Sequence, residues 1–597
     1  MDDPYAPGPG PGRLPGDGDA GQPPRPRPGR PSPGPPPPDA GRGERLHRPR
    51  ADGGVRHRLV PPFPPAGTRL WEYFGIPPAT AVRLNRVMGW AGPLLVAAVA
   101  GVLRIVRLDR PAIVMFDETY YAKDAWALLR HGWEASWPDD ANERILDCVV
   151  PLGDTASYVV HPPVGKWMIA LGEWAFGMTP FGWRFVPALL GALSVLMLCR
   201  IGRRLFRSTA LGCLAGLFMA VDGLHFVMSR AALLDLILMF WVLAAFGCLL
   251  VDRDRARARM AAALEEAERD PDRPPRGNRS DDGMLRPDPG VGHRARFGWR
   301  PWRIAAGVCL GLACGTKWSG LWVLAAFGIM IVLWDAAARR TAGAPRPYRS
   351  MLRRDAVPAF LSTVPVAVVV YVASWAGWLL RPGGYHRDWA AENAPTGHPV
   401  GDALRSLWHY HAEVYGFHVG LDSEHSYQSN PWSWPVLGRP VSFSYLSEEE
   451  GEGMCREAGG CAREVLALGT PLLWWAACAA LVYCLWRWAA RRDWRAGAIL
   501  CGTAAGLLPW FLYQDRTIYY FYAVVLVPFL CLALTMALGA ILGPPGCPER
   551  RRAVGIAVCG IVVLVVVWNF VFFYPVYADV PLPMDGWRAR MWLPTWI

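Results

Sequence analysis

Lysine is almost missing from this chain. Of 62 basic residues only Lys123, Lys166 and Lys317 are lysines, and arginine takes every other basic position. A compact ammonium with three donors does not replace a planar guanidinium fork. The three survivors therefore either escaped a coding bias toward arginine or sit where a point charge is needed. Aliphatic side chains are nearly missing from residues 1–66, which are Pro, Gly, Arg and Asp. Such a stretch cannot bury a core, and it reads as a disordered tail. No apolar run follows the start, so no secretory signal peptide is expected. No internal repeat is visible, which disfavours a secondary transporter. No His and Cys residues lie at metal-ligand spacing, so no metal site is expected. The net charge of +12 comes without any nucleic-acid recognition module, so no nucleic-acid partner is expected.

Long apolar runs are what the chain has in excess. It is 52% hydrophobic with 30 Trp and has a positive mean hydropathy. Runs long enough for about 20 residues of helix recur, which is the length a bilayer requires. The reading is an all-α, polytopic membrane protein. Eleven spans are expected near 90–108, 183–201, 209–225, 230–251, 302–316, 318–336, 357–379, 470–489, 495–513, 519–541 and 553–573. Arginines crowd alternate loops: Arg200 to Arg204, 252–303, Arg339 to Arg354, Arg487 to Arg495, and Arg550 to Arg552. The positive-inside rule makes these loops and the tail cytoplasmic. The outer loops are then 109–182 and 380–469, with the C-terminus outside as well. Residues 71–88 are expected to form an interfacial helix. The charged insert 252–300 is expected to begin as a helix from Ala256 to Arg269 and then become disordered.

The outer loops hold the candidate chemistry. Phe116-Asp117-Glu118-Thr119-Tyr120-Tyr121 places two carboxylates just beyond the first span. A helix over 117–130 would put Asp117, Tyr121 and Asp124 on related turns. Asp117 would serve there either as a helix cap or as a general base. His161-Pro162-Pro163-Val164-Gly165-Lys166 precedes a second short helix, Gly165 to Phe176. His161 and Lys166 are candidates for contacting a lipid phosphate. Arg104 and Arg184 flank the acid-bearing loop. Either they neutralise a phosphate-linked substrate or their side chains snorkel to headgroups. Asp235 falls within the membrane, needs a partner, and has Arg230 nearest in sequence. Trp432 and Trp434, in Ser426 to Pro435, form either a binding platform or an interfacial belt. Cys455 and Cys461 could close a short loop, leaving Cys148 unpaired.

Taken together and in order, these motifs resemble a known family. Arg104, Asp117-Glu118, His161 to Lys166, Arg184-Phe185-Val186-Pro187 to Gly191, Ser426 to Pro435, Arg516 to Tyr522 and the terminal Trp596-Ile597 look like a bacterial protein O-mannosyltransferase of actinobacterial type. The resemblance runs from about residue 70 to the end and leaves out the tail and 252–300. It implies a GT-C membrane fold with extracytoplasmic juxtamembrane helices, placed in the plasma membrane. The implied donor is polyprenyl-phosphate-mannose. The implied acceptors are Ser/Thr hydroxyls of secreted proteins or lipoproteins, reached through the secretion translocon. Asp117 matches the family's acid–base position. Glu118, Arg104 and Arg184 match residues engaging donor or acceptor, and His161, Lys166 and Arg516 join them as phosphate candidates. Tyr121, Asp235, Trp432 and Trp434 are expected in support. The chain departs from the family at Arg184-Phe185-Val186-Pro187 and Gly469-Thr470-Pro471. The second outer loop is too short for the sugar-binding domain of the yeast relatives.

The expected reaction is a single inverting displacement on the outer face. A base takes the hydroxyl proton, and a phosphate, itself a weak base, departs without a strong acid. Adjacent carboxylates need not converge, which disfavours two-acid hydrolysis. A related GT-C enzyme moving another lipid-linked sugar to lipid or polysaccharide is the alternative.

Overall fold

The computed structural model describes residues 54–62, 77–270, 285–453, 455–544 and 546–597. Among them, nine helices are long and apolar enough to cross a bilayer: Val82–Ile105, Pro180–Phe206, Leu234–Arg269, Gly320–Thr341, Pro347–Ser374, Pro471–Arg491, Trp494–Leu512, Tyr520–Leu542 and Glu549–Tyr577. Two shorter apolar helices, Thr209–Ala220 and Pro301–Cys314, stand where two more spans are expected. With 12 and 14 residues, they reach only about 18 and 21 Å at 1.5 Å per residue. That falls short of a hydrocarbon core of about 30 Å. The expected interfacial helix at 71–88 lies partly outside the described residues, and from Pro78 the chain already belongs to one helix ending at Ile105.

Local chemistry sets the helix ends. Thr179 accepts from the Gly182 amide to start one span, Arg207 ends it in the left-handed region, and Ser208 caps the next helix. These two helices lie very close. A Cβ at Gly212 would fall 2.4 Å from the Cys199 carbonyl oxygen, so only glycine admits that approach.

The helix Leu234–Arg269 has 36 residues and runs about 54 Å, well beyond the apolar layer. Its far half carries a second core, in which Val55, Leu59, Leu285, Val291 and Phe297 pack on Ala256, Met260 and Leu264. The expected disorder does not hold for two segments here. Val55–Leu59 is a helix whose end is fixed by Arg257 donating to the Leu59 carbonyl at 3.0 Å. Residues 285–300 pack as well, and Arg300 and Arg303 share Asp252 and Asp335. The rest of the expected tail, 1–53 and 63–66, and 271–284 of the insert lie outside the described residues.

At the other end of the bundle the two long loops pack together. The first forms Glu118–His131, Ala141–Leu146 and Val164–Phe176. The second forms Pro399–Gly420, then β1 (Val441–Glu448) and β2 (Cys461–Ala467), an antiparallel pair that β3 (Leu582–Pro583), from the segment after the last span, extends to three strands. This sheet departs from an all-helical expectation. Its signal is the alternation Val441-Ser442-Phe443-Ser444, which buries Val441 and Phe443. Cys455 and Cys461 are disulfide-bonded, and Cys148 is free.

Candidate active site

Asp117 and Glu118 begin the helix Glu118–His131 and point into different surroundings. Glu118 is fully buried. Its Oε1 accepts from Arg184 Nε at 2.8 Å and from the Ala232 amide at 3.1 Å. Its Oε2 accepts from Arg184 Nη2 at 2.7 Å and from the Met115 amide at 3.1 Å. Arg184 also donates to the carbonyls of Leu108, Pro111 and Ile113. A bidentate pair with every other donor spent is a clamp holding 108–118 on the span Pro180–Phe206. Arg184 therefore has no donor left for a substrate phosphate, contrary to expectation, and Glu118 has no lone pair free for a proton.

Arg104 and Lys166 are corrected in the same way. Arg104 is fully buried and donates to Ser229, to the carbonyls of Ala100, Met219 and Ala220, and toward His225 Nδ1 at 2.7 Å. Lys166 is fully buried between Glu134 and Asp124, the latter 3.7 Å away. These cations are consumed by partners that only folding brings near. Glu134, which completes the Lys166 pair, carries no motif in the sequence.

Asp117 is different. Its side chain does not cap the helix it precedes, and among the described residues it makes no hydrogen bond. Phe116 before it lies in the left-handed region, with φ of 50°, a conformation that costs a non-glycine residue about 1–2 kcal/mol. The Phe116 ring is held by Phe443 at 5.0 Å and Phe521 at 5.7 Å, and this packing sustains the strain. Burial pushes the Asp117 carboxyl up to about 6; Lys317 pulls it down, and Asp235 adds to the rise.

Asp235 pairs with Lys317, whose Nζ lies 2.9 Å from both carboxylate oxygens. Arg230, the expected partner, instead donates to the carbonyls of Arg104, Val106 and Arg107. Lys317 Nζ also sits 4.1 Å from the centre of the Tyr522 ring.

Lys317 and Tyr522 open onto a cavity of about 830 Å³. Its lining carries the charged or titratable groups His161, His418, Arg516, Lys317 and His411, and most of the rest is apolar, including Trp318, Trp322, Leu324 and Val368. His418 Nε2 lies 2.9 Å from the Val160 carbonyl, and its Nδ1 lies 3.0 Å from Arg516 Nη2. This geometry places the proton on Nε2 and leaves Nδ1 to accept from Arg516. Burial and the Arg516 charge push His418 down to about 4. Burial, then Lys317, holds His161 well below the usual histidine range. His161 stacks on His418 at 5.3 Å and approaches the buried Tyr121 at 6.1 Å. Arg516 Nε is buried without an acceptor among the described residues. An unspent guanidinium donor beside neutral imidazoles suits an anion.

Of the expected site residues, His161 and Arg516 line this cavity, while Asp235 and Asp117 meet it through Lys317 and Tyr121 through His161. Trp432 and Trp434 make no common platform. Trp432 is 63% exposed, whereas Trp434 is buried, donates to Ser429 Oγ at 2.9 Å, and packs on Trp510. Lys317 and His418 join the cluster although the sequence motifs did not select them as site residues. The rarity of lysine was a usable signal for the first; nothing marked the second.

A family model described as dolichyl-phosphate-mannose-protein mannosyltransferase matches residues 94–263 and 292–380. A model of the C-terminal four-span region of protein-O-mannosyltransferase matches 403–596. The chain is 39% identical over 531 residues to the polyprenol-phosphate-mannose–protein mannosyltransferase of Mycolicibacterium smegmatis, covering 87% of this chain and 95% of that protein. It is 31% identical to the enzyme of the same name from Corynebacterium glutamicum, with 91% and 98% covered. The S. cerevisiae Pmt1-Pmt2 complex bound to the sugar donor superposes with a TM-score of 0.62 at 15% identity, covering 85% and 92%. The fold is therefore GT-C, and the chain belongs to the dolichyl-phosphate-mannose–protein mannosyltransferase family.

Proposed function

We propose that this chain transfers mannose from polyprenyl-phosphate-mannose to Ser/Thr hydroxyls of exported proteins, with Asp117 as the base. The observation that carries this reading is Asp117, a carboxylate without a hydrogen bond among the described residues, next to Lys317, which with Arg516 and His161 lines a mostly apolar cavity. The apolar part accepts the prenyl chain. Arg516, held by His418 and assisted by Lys317 and by the N–H of His161, binds the phosphate. The acceptor oxygen bonds to the anomeric carbon as its proton passes to an Asp117 oxygen. The bond from that carbon to the phosphate oxygen breaks, and its electron pair leaves with the lipid phosphate. One displacement inverts the anomeric centre.

Glu118, Arg184 and Lys166 act as positioning residues that hold the loop and helix beside Asp117, while Arg104 fixes the packing of the turn 219–229 on the first span. The alternation of arginine-rich loops favours a cytoplasmic N-terminus and an outer catalytic face in the plasma membrane. On that face, acceptors would be met as they leave the translocon.

The test is incubation of the purified chain with radiolabelled polyprenyl-phosphate-mannose and a Ser/Thr-rich peptide, beside Asp117→Asn. Labelled peptide of opposite anomeric configuration, from wild type alone, is the expected result. Absence of label with either protein would reject mannose or peptide as substrate. Equal labelling by both would remove Asp117 from the base role.

A further inference from the structure

The helix Pro399–Gly420 has two working faces. Trp408, His411, Ala412 and Tyr415 line the cavity. His409 and Glu413, one turn apart, project away from those cavity-lining positions toward the segment that carries His386. His409 Nε2 lies 3.2 Å from Glu413 Oε1, and His386 Nδ1 lies 3.4 Å from the same oxygen. The three ligand atoms are all within 4.8 Å of one another.

These spacings carry information. A zinc ion with ligands at about 2.0–2.1 Å in a tetrahedron has ligand–ligand edges of about 3.3 Å. Two of the three edges already have that length. The rings are also held in place. Trp389 lies flat on His409, with centroids 3.8 Å apart and planes 6° apart. Tyr385 stacks on His386 at 4.2 Å. His386 is in the left-handed region, with φ of 49°, which turns its side chain toward the helix. Glu413 Oε2 is buried without a hydrogen-bond partner among the described residues. His386 and His409 are 38% and 29% exposed at the side chain, so an ion has a path in. Two imidazoles and one carboxylate are borderline donors that suit zinc, with a fourth position for water.

We propose that His386, His409 and Glu413 bind one zinc ion. The ion ties the cavity-lining helix to the segment 381–393 through residues that do not themselves line the cavity. It holds the cavity wall and takes no part in chemistry. The spacing His409-x-x-x-Glu413 is visible in the sequence, but His386 lies 23 residues upstream and joins only through the fold.

The full-length chain, purified in detergent and stripped with EDTA, is mixed with equimolar zinc chloride and desalted. Bound zinc is then counted by mass spectrometry. Wild type should retain about one zinc per chain. His409→Ala and Glu413→Gln should bind at least about tenfold more weakly. Zinc should raise the unfolding temperature of wild type, reversibly with EDTA, and leave both variants unchanged. Cobalt on wild type supplies a readout independent of variant folding. A four-coordinate nitrogen and oxygen spectrum is expected. Thiolate charge-transfer bands would place the metal on cysteines instead and overturn the proposal. So would zinc retention unaffected by the two substitutions, or no retention by wild type.

Discussion

The clamp around Arg184 and the cluster of Asp117, Lys317 and Arg516 are built from the same residue types, and their charges are used differently. In the clamp each charge meets its opposite. Glu118 accepts four hydrogen bonds, and Arg184 spends its donors on it and on three carbonyls. In the cluster Asp117 has no hydrogen bond, and Arg516 Nε has no acceptor, among the described residues. Burial of the first kind fixes geometry. Burial of the second kind leaves capacity for a proton and an anion at the cost of stability. Two adjacent acids, Asp117 and Glu118, thus divide into one that can react and one that holds it in place.

Asp117→Asn tests that division most severely. Loss of a general base costs about 10²–10⁴ in rate, so mannosyl transfer should fall by at least about a hundredfold with the unfolding temperature unchanged. Glu118→Gln should show the opposite pattern. It leaves the Arg184 charge buried without its partner, which costs about 3–5 kcal/mol, so yield and unfolding temperature should drop. If Glu118→Gln folds like wild type and loses activity as completely as Asp117→Asn, the division is wrong.

Arg516→Ala should come next. Hydrogen bonds to a charged group are worth about 1.5–3 kcal/mol, so the donor KM should rise about tenfold to a hundredfold while the protein stays folded. The acid limb of the rate profile is a finer probe. Asp117 must be ionised to act, so transfer should fall as pH drops through about 6. Lys317 lowers the Asp117 value, so Lys317→Met should move that limb to higher pH. A limb that stays put or moves down would separate Lys317 from the base. Trp432→Ala, at an exposed ring outside both regions, should change the rate by less than about twofold.

Much of this was legible before folding was considered. Apolar runs of bilayer length mark the spans, because a chain in hydrocarbon must satisfy its backbone within one segment. Two of the spans expected from composition, near 209–225 and 302–316, are shorter apolar helices, Thr209–Ala220 and Pro301–Cys314. Composition reports how apolar a segment is, but not where a turn such as that at Asp222 or Thr316 ends the helix. The sequence reads as unstructured as far as residue 66 because its few aliphatic residues, Val55 and Leu59 among them, cannot form a core alone. Val55 and Leu59 are buried only because Leu285 and Phe297 arrive beside them.

The sequence by itself determined the membrane architecture, the outer-loop motifs and the family likeness, since each depends on residues close in the chain. It also singled out Asp117, His161 and Arg516. Which charges are spent and which remain was decided only by tertiary structure. Arg184 meets Glu118 across 66 positions, Lys317 meets Asp235 across 82, and Arg516 meets His418 across 98. An ionisable group takes its role from the partners and the water left around it after burial. No local pattern specifies those contacts, because they form only when distant segments pack.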